Sequence, residues 1–340
     1  MAEYYMNHEI DSFLKWQGRI LKKQGICYFG YTNSSLNVSV KGSSLYMYMI
    51  TGDNEVVNQP GFRIYVDGEK VSELVLDRSE DWYLICELSP EEIHEVRIVK
   101  ITEAAMSYGG LKCIRVCGGE LLPVKGGADC RTKVEFIGDS ITCGYGVHGE
   151  PESEYTIREE DGECSYAAFM SRKMNWNARW ISASGYGMFV EYTGNPENNI
   201  PKLYPYVNWF VDREKKIEPE EFEPAYIFVN LGTNDSGHLY QEEMLEGFLK
   251  AYEDFLMMLR QYHKESIIIC VLGTLCQGVF PYVEQVVEKV KAKGMENIYA
   301  YELPYHDVKK GGMASMHPSV ATHKKDAKRI LDFMKKEGIL

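Results

Sequence analysis

Several features are absent from these 340 residues, and each absence removes a class of protein. No uninterrupted apolar run reaches the roughly 18 residues of a membrane-spanning helix. Residues 1–10 lack the basic-then-apolar order of a secretory signal. No C-x-x-C pair occurs, and the nine cysteines are odd in number and scattered from Cys27 to Cys276. That spacing fits neither a disulfide framework nor a compact zinc-ligand set, so reduced thiols in a cytoplasmic protein are expected. Positive charge is scarce: 37 Lys+Arg stand against 50 Asp+Glu, a formal net charge of −13. Such a surface repels a phosphate backbone or an anionic bilayer, so neither nucleic acid nor membrane is an expected partner. Low complexity is absent too. With 45% hydrophobic residues, 30 glycines and 12 prolines the chain reads as globular, and its length suggests about two domains.

What is present divides near residue 125. Short β-rich runs cover 36–40, 45–50, 62–66, 69–76, 82–88, 95–102 and 112–116, with turn residues between them. Asp67-Gly68 supplies the two positive-φ positions of a type I′ hairpin turn. Many short strands without a long helical stripe predict a β-sandwich over 1–125. Its aromatics, Tyr46, Tyr48, Trp82 and Tyr83, read as core or interdomain packing. Pro123 and Gly126-Gly127 mark a linker, placed at 126–131. From 132 to 340 the period changes. Apolar runs at 133–137, 179–183, 225–230, 266–272 and 297–301 alternate with segments of helical spacing. The clearest stripe is Met244, Leu245, Phe248, Leu249, Tyr252, Phe255, Leu256 and Leu259. Alternation of this kind predicts a mostly parallel sheet covered on both faces, with reactive groups on loops at the carboxyl ends of the strands.

Four strand-end or loop segments carry candidate chemistry. Gly138-Asp139-Ser140 follows the first run, and a serine there can present its hydroxyl at the sheet edge; alone, the string reads more often as a turn and helix cap. Gly232-Thr233-Asn234-Asp235 ends the third run, where an Asn can donate to a developing oxyanion or merely cap a helix. Gly185 follows the second run, and a glycine lets a backbone N–H approach a ligand closely. His317-Pro318 precedes the last helical stretch, with His317 in the loop just before it.

In this order the segments resemble the four blocks of the SGNH (GDSL-type) hydrolase superfamily, spanning almost all of 132–340. The resemblance implies a three-layer α/β/α domain, Ser140 as nucleophile and His317 as general base. The Ser140 N–H, the Gly185 N–H and the Asn234 side chain would form the oxyanion hole. Trp16-Gln17-Gly18-Arg19, the strand-rich front half and Pro201-Lys202-Leu203-Tyr204 also resemble carbohydrate esterase family 2, which joins an N-terminal jelly roll to the hydrolase domain. That family implies removal of acetyl groups from plant polysaccharides, so an acetylated oligosaccharide or polysaccharide is the expected partner. One departure stands out. Many SGNH enzymes carry an Asp three residues before the histidine, and many family 2 esterases an Asp then a Trp immediately before it, yet here Gly312-Met313-Ala314-Ser315-Met316 holds no carboxylate. A backbone carbonyl, Ser315 or a more distant acid such as Asp307 must then orient His317 Nδ1–H, and a Ser–His dyad with carbonyl support is expected. Met316 in place of the tryptophan leaves less aromatic surface for a sugar ring.

The expected reaction is two-step acyl transfer, with every role filled by the chain itself and no metal or cofactor required. Activity should rise with pH as His317 deprotonates, near its ordinary value of about 6.5 unless burial moves it. The rivals are the same chemistry on a lipid, thioester or other non-carbohydrate ester, and an inactive carbohydrate-binding protein. The polar stretch 191–199 suits a sugar better than an acyl chain.

Overall fold

A computed structural model describes residues 1–52, 58–124, 129–151, 153–307 and 313–340. It divides into two compact units, Met1–Cys130 with Phe210–Arg213, and Arg131–Trp209 with Glu214–Leu340. The division falls at Cys130, and the inclusion of 210–213 in the first unit was not foreseen from the linear pattern. Positions 126–128 of the expected linker lie outside the described residues.

The first unit is an antiparallel sandwich. One sheet runs in the order Ile20–Lys23, Ile26–Phe29, Gly109–Cys117, Ser44–Thr51, Glu80–Glu87, with Ala2–Tyr5 also on Gly109–Cys117. The other runs Glu120–Leu122, Ser35–Lys41, Ile93–Lys100, Gly61–Val66, Glu69–Val75, with Lys15–Gln17 beside Ser35–Lys41. Strand alternation drives the packing. Leu45, Met47 and Met49 point inward from one sheet and meet Val38, Val40, Ile64, Val96 and Ile98 of the other in one buried cluster. Asp67 and Gly68 both take positive φ, 52° and 87°, as the hairpin turn requires.

Tyr83 joins this core, but Tyr46, Tyr48 and Trp82 do not. They occupy the alternate, half-buried face, where the Arg115 guanidinium lies 3.7 Å from the Trp82 ring centre. The core half of the expectation fails for those three because period-2 alternation puts them opposite Leu45, Met47 and Tyr83.

The second unit is built on five parallel strands: β1 (Lys133–Gly138), β2 (Asn177–Ser182), β3 (Tyr226–Asn230), β4 (Ile267–Leu272) and β5 (Ile298–Glu302). The helices are α1 (Ser140–Cys143), α2 (Tyr166–Met174), α3 (Ile200–Leu203), α4 (Glu242–Tyr262), α5 (Phe280–Ala292) and α6 (Val320–Lys336). Helices α2 and α6 pack together, as do α4 and α5. Phe136, Phe228, Ile269 and Val271 of the sheet meet Tyr166 and Met170 of α2 and Ile330 and Leu331 of α6. On α4 the apolar stripe is buried at Phe248, Tyr252, Phe255, Leu256 and Leu259.

Strand order is β2-β1-β3-β4-β5, so the chain reverses its direction of build between β1 and β3. In open sheets of this kind, loops leaving the carboxyl ends of the strands diverge at such a reversal, and ligands bind there. Register aligns the ends: Gly138 pairs with Ser182 on one side and with Asn230 on the other. Three of the four candidate segments therefore emerge at one level of one edge.

Candidate active site

Ser140 begins α1, a single turn. Asp139 holds an extended conformation as its N-cap, and its Oδ1 accepts from Ile141 N at 3.0 Å. Glycine before it is a packing demand, since a Cβ on Gly138 would lie 2.1 Å from Thr142 Oγ1. Gly144, in the left-handed region at φ 78°, ends the turn. The result is a buried Ser140 whose Oγ is 2.8 Å from His317 Nε2, across 177 positions of sequence.

His317 closes a 3₁₀ turn, Ala314–Met316. Ser315 and Met316 both adopt left-handed backbone, at φ 50° and 64°. For non-glycine residues this costs on the order of 1–3 kcal/mol each. The strained turn is fastened by Ser315 N donating to Ser153 O at 3.0 Å and by Met313 N donating to His317 O at 2.8 Å. It turns the Ser315 carbonyl onto His317 Nδ1, 3.0 Å away. The orienting group at Ser315 is thus its main-chain oxygen, while Asp307 is exposed.

Aromatic packing covers the imidazole. The Tyr145 ring lies 4.4 Å from the His317 ring, and Tyr155 stacks on Tyr145 at 3.6 Å. Tyr155 in turn donates to Glu160 Oε2 at 3.1 Å. Burial pushes His317 down to about 4, against the Ser315 and Ala314 carbonyls, which favour its protonated form. Burial was the stated exception to the ordinary value, and it applies in this site. Neither tyrosine was singled out from sequence; the one available signal was the Gly144-Tyr145-Gly146 string, whose glycines both take positive φ.

Gly185, at φ 80°, turns the chain after β2, and Tyr192 N donates to its carbonyl at 2.9 Å. The exposed Tyr192 lies against it: a Cβ on Gly185 would lie 3.0 Å from Tyr192 Cδ1. Neither the Ser140 N–H nor the Gly185 N–H has an acceptor among the described residues. Asn234, after β3, donates from Nδ2 to Tyr186 O at 3.1 Å and, weakly, to Asp139 Oδ2 at 3.4 Å. Its amide thus lies between the Ser140 turn and the Gly185 loop, with hydrogens engaged by groups of both.

Asp235 joins two loops. Its buried carboxylate accepts from Met188 N and Phe189 N at 2.8 Å and from Val190 N at 3.0 Å, clamping the loop after β2 to the turn after β3. Burial raises its pKa, and those three backbone donors pull the other way. A Cβ on Gly187 would lie 2.4 Å from Asp235 Oδ2, so the clamp needs glycine there. Met316, which stands where many relatives place the tryptophan, is exposed beside His317.

A hydroxyl held by an imidazole with its other nitrogen on a carbonyl is equipped for nucleophilic attack. Because Nδ1 faces an acceptor, it carries the hydrogen, and Nε2 presents its lone pair to the serine.

Comparison with known proteins finds matches to both halves of the chain. The GDSL-like Lipase/Acylhydrolase family model matches residues 136–325, and the carbohydrate esterase 2 N-terminal model matches residues 16–124. The chain is 29% identical over 281 residues to the cellulase/esterase CelE of Acetivibrio thermocellus, covering 79% of this chain and 33% of CelE. It thus spans about a third of the length of that relative. It is 24% identical over 254 residues to an acetylxylan esterase/glucomannan deacetylase of Cellvibrio japonicus, covering 70% of this chain and 68% of that protein. Among solved structures, a family two carbohydrate esterase from Clostridium thermocellum in complex with cellohexaose superposes with a TM-score of 0.86 at 26% identity, covering 96% of this chain and 100% of that one.

Proposed function

The chain belongs to the GDSL-like lipase/acylhydrolase family, and from that premise we propose that it is a carbohydrate O-acetyl esterase acting on acetylated plant oligosaccharide or polysaccharide of the mannan or xylan type. The observation that carries the reading is the 2.8 Å contact between Ser140 Oγ and His317 Nε2. The carbohydrate esterase 2 match over 16–124 and the relative named for acetylxylan and glucomannan point to the substrate class.

His317 Nε2 takes the Ser140 proton as Oγ attacks the acetyl carbonyl carbon. The oxyanion is received by the Ser140 and Gly185 N–H groups and by Asn234 Nδ2, which gives up its weak contact with Asp139. The imidazolium keeps its Nδ1–H on the Ser315 carbonyl and returns the Nε2 proton to the departing sugar oxygen. Water, deprotonated by the same nitrogen, then releases acetate and restores Ser140. A carbonyl supplies the orientation that a carboxylate usually gives, with less stabilisation of the imidazolium. A sugar alkoxide is a better leaving group than an amine, which suits a dyad to ester chemistry. The cytoplasm is the compartment we propose, in keeping with cysteines that are free thiols, five of them buried.

The test compares acetate release from acetylated manno- and xylo-oligosaccharides with turnover of long-chain p-nitrophenyl esters. Acetate release lost in Ser140→Ala supports the reading. Preference for long acyl chains would make the protein a lipase-type member of the family. Equal, slow p-nitrophenyl acetate hydrolysis by wild type and Ser140→Ala would make it a glycan-binding protein.

A further inference from the structure

The loop between α1 and α2 holds a second cluster that the ester chemistry leaves unused. Asp161 is the N-cap of a 3₁₀ turn, Gly162–Cys164, and its Oδ1 accepts from Glu163 N at 3.0 Å. That leaves Oδ2 facing His148 Nε2 at 2.8 Å and Cys164 Sγ at 3.2 Å. Residues three apart eclipse in a 3₁₀ turn, which brings the Cys164 sulfur over the Asp161 carboxylate. His148 is delivered by its N–H donating to Glu159 O, and Asp161 by its N–H donating to Gly144 O, each at 3.1 Å. One imidazole nitrogen, one carboxylate oxygen and one sulfur then lie within 4.8 Å of one another.

We propose that His148, Asp161 and Cys164 bind a zinc-type divalent cation through Nε2, Oδ2 and Sγ. Linear spacing argued against a metal site, but folding of this loop gathers three ligands that lie 13 and 3 positions apart. Sulfur and imidazole donors favour zinc or cadmium over magnesium or calcium. Tetrahedral zinc, with bonds of about 2.0–2.3 Å, needs donors separated by roughly 3.3–3.7 Å. The His148–Asp161 contact must therefore open by about half an ångström. The His148 side chain is 48% exposed and can swing by that amount, while the Asp161 carboxylate, 1% exposed, stays fixed. A buried carboxylate is a costly anion, and a cation beside it offsets that cost more strongly than a neutral donor. On binding, the Cys164 S–H bond breaks, its proton leaves to solvent, and the thiolate pair forms the bond to the metal. The bound ion has a structural role here. It fastens the loop whose Tyr145 covers His317, and it takes no part in acyl transfer.

The full chain, stripped with chelator, is titrated with Cd2+ while near-ultraviolet thiolate-to-metal absorption is followed, and with Zn2+ by calorimetry in two buffers of different ionisation enthalpy. One equivalent should bind, with about one proton released per Zn2+. The Cd2+ band should vanish in Cys164→Ser and persist in Cys130→Ser, which removes the exposed thiol. Zinc affinity should fall at least tenfold in His148→Ala, a half-exposed position whose loss leaves the fold intact by circular dichroism. A band that follows Cys130, or unchanged zinc affinity in His148→Ala, overturns the site. Should Cys164→Ser fail to fold, the His148→Ala titration decides alone. None of these readouts uses esterase activity, so the outcome is independent of the function proposed above.

Discussion

The half-buried imidazole makes the pH profile the sharpest test of the site. If His317 is the base, kcat/KM tracks its neutral fraction, and the structure puts its pKa at about 4 instead of the ordinary 6.5. At pH 5 a histidine of pKa 4 is about 90% neutral, whereas one of 6.5 is about 3% neutral, a roughly thirty-fold difference in activity relative to pH 8. The profile should therefore be nearly flat from pH 5 to 8, with its acid limb at about 4. Burial is the leading cause, and the Tyr145 ring at 4.4 Å is part of it. Tyr145→Ala should admit water and move the limb upward toward 6.5. The assay is initial-rate p-nitrophenyl acetate hydrolysis between pH 3.5 and 8, quenched in base before reading, with circular dichroism at each pH to separate titration from unfolding. A wild-type limb at 6–7, or a Tyr145→Ala limb no higher than wild type, would refute the reasoning.

Three further outcomes follow from the same geometry. Asn234→Ala should lower kcat by about 10²–10³, on the order of 2.7–4 kcal/mol, with KM little changed, as single-turnover and steady-state kinetics would show. A loss expressed mainly in KM would remove Asn234 from the oxyanion hole. Gly187→Ala should break the Asp235 clamp, because the added Cβ would lie 2.1 Å from Val190 O; both Tm and kcat should fall, and an unchanged Tm would mean the clamp carries no stability. Acid should destabilise the fold through His317, at about 4, and His323, lowered to about 3 chiefly by burial. Both bind protons more readily unfolded, so stability is full above about 6.5 and is lost progressively as pH falls toward 3. Since Tyr166 N donates to His323 Nδ1 at 3.2 Å, His323→Asn can keep that bond, and its Tm drop between pH 7 and 4.5 should be smaller than wild type's.

The fold was legible where one period dominates a segment. The alternation of Ser44–Thr51, the Asp67-Gly68 turn and the Met244–Leu259 stripe each state a geometry in their own residues, and each forms it. Short strands were not legible: Ala2–Tyr5 and Lys15–Gln17 hold four and three residues, too few to show a period. They exist because Gly109–Cys117 and Ser35–Lys41 offer them a free edge. The hairpin Tyr206–Asn208 with Asp212–Lys216 escaped for a related reason, since its second strand, DREKK, is charged and exposed along four of its five positions.

The site divides along a similar line. Ser140, Gly185, Asn234 and His317 were readable because each follows or precedes an element whose end the sequence marks, and parallel register then brings the strand ends level. What holds His317 was only half readable. Five residues without a carboxylate say that something else must face Nδ1, and point to a backbone carbonyl, but not to which one. The answer lies in backbone torsions, and nothing in Ala-Ser-Met announces two successive left-handed residues. Such a turn survives only because Ser153, Met313 and Ala314 fasten it through main-chain bonds. A carbonyl fixed by strain cannot be protonated as a carboxylate can, so the imidazole's orientation is independent of pH down to its own titration. That is the physical ground for expecting activity to persist into acid until His317 itself takes up a proton.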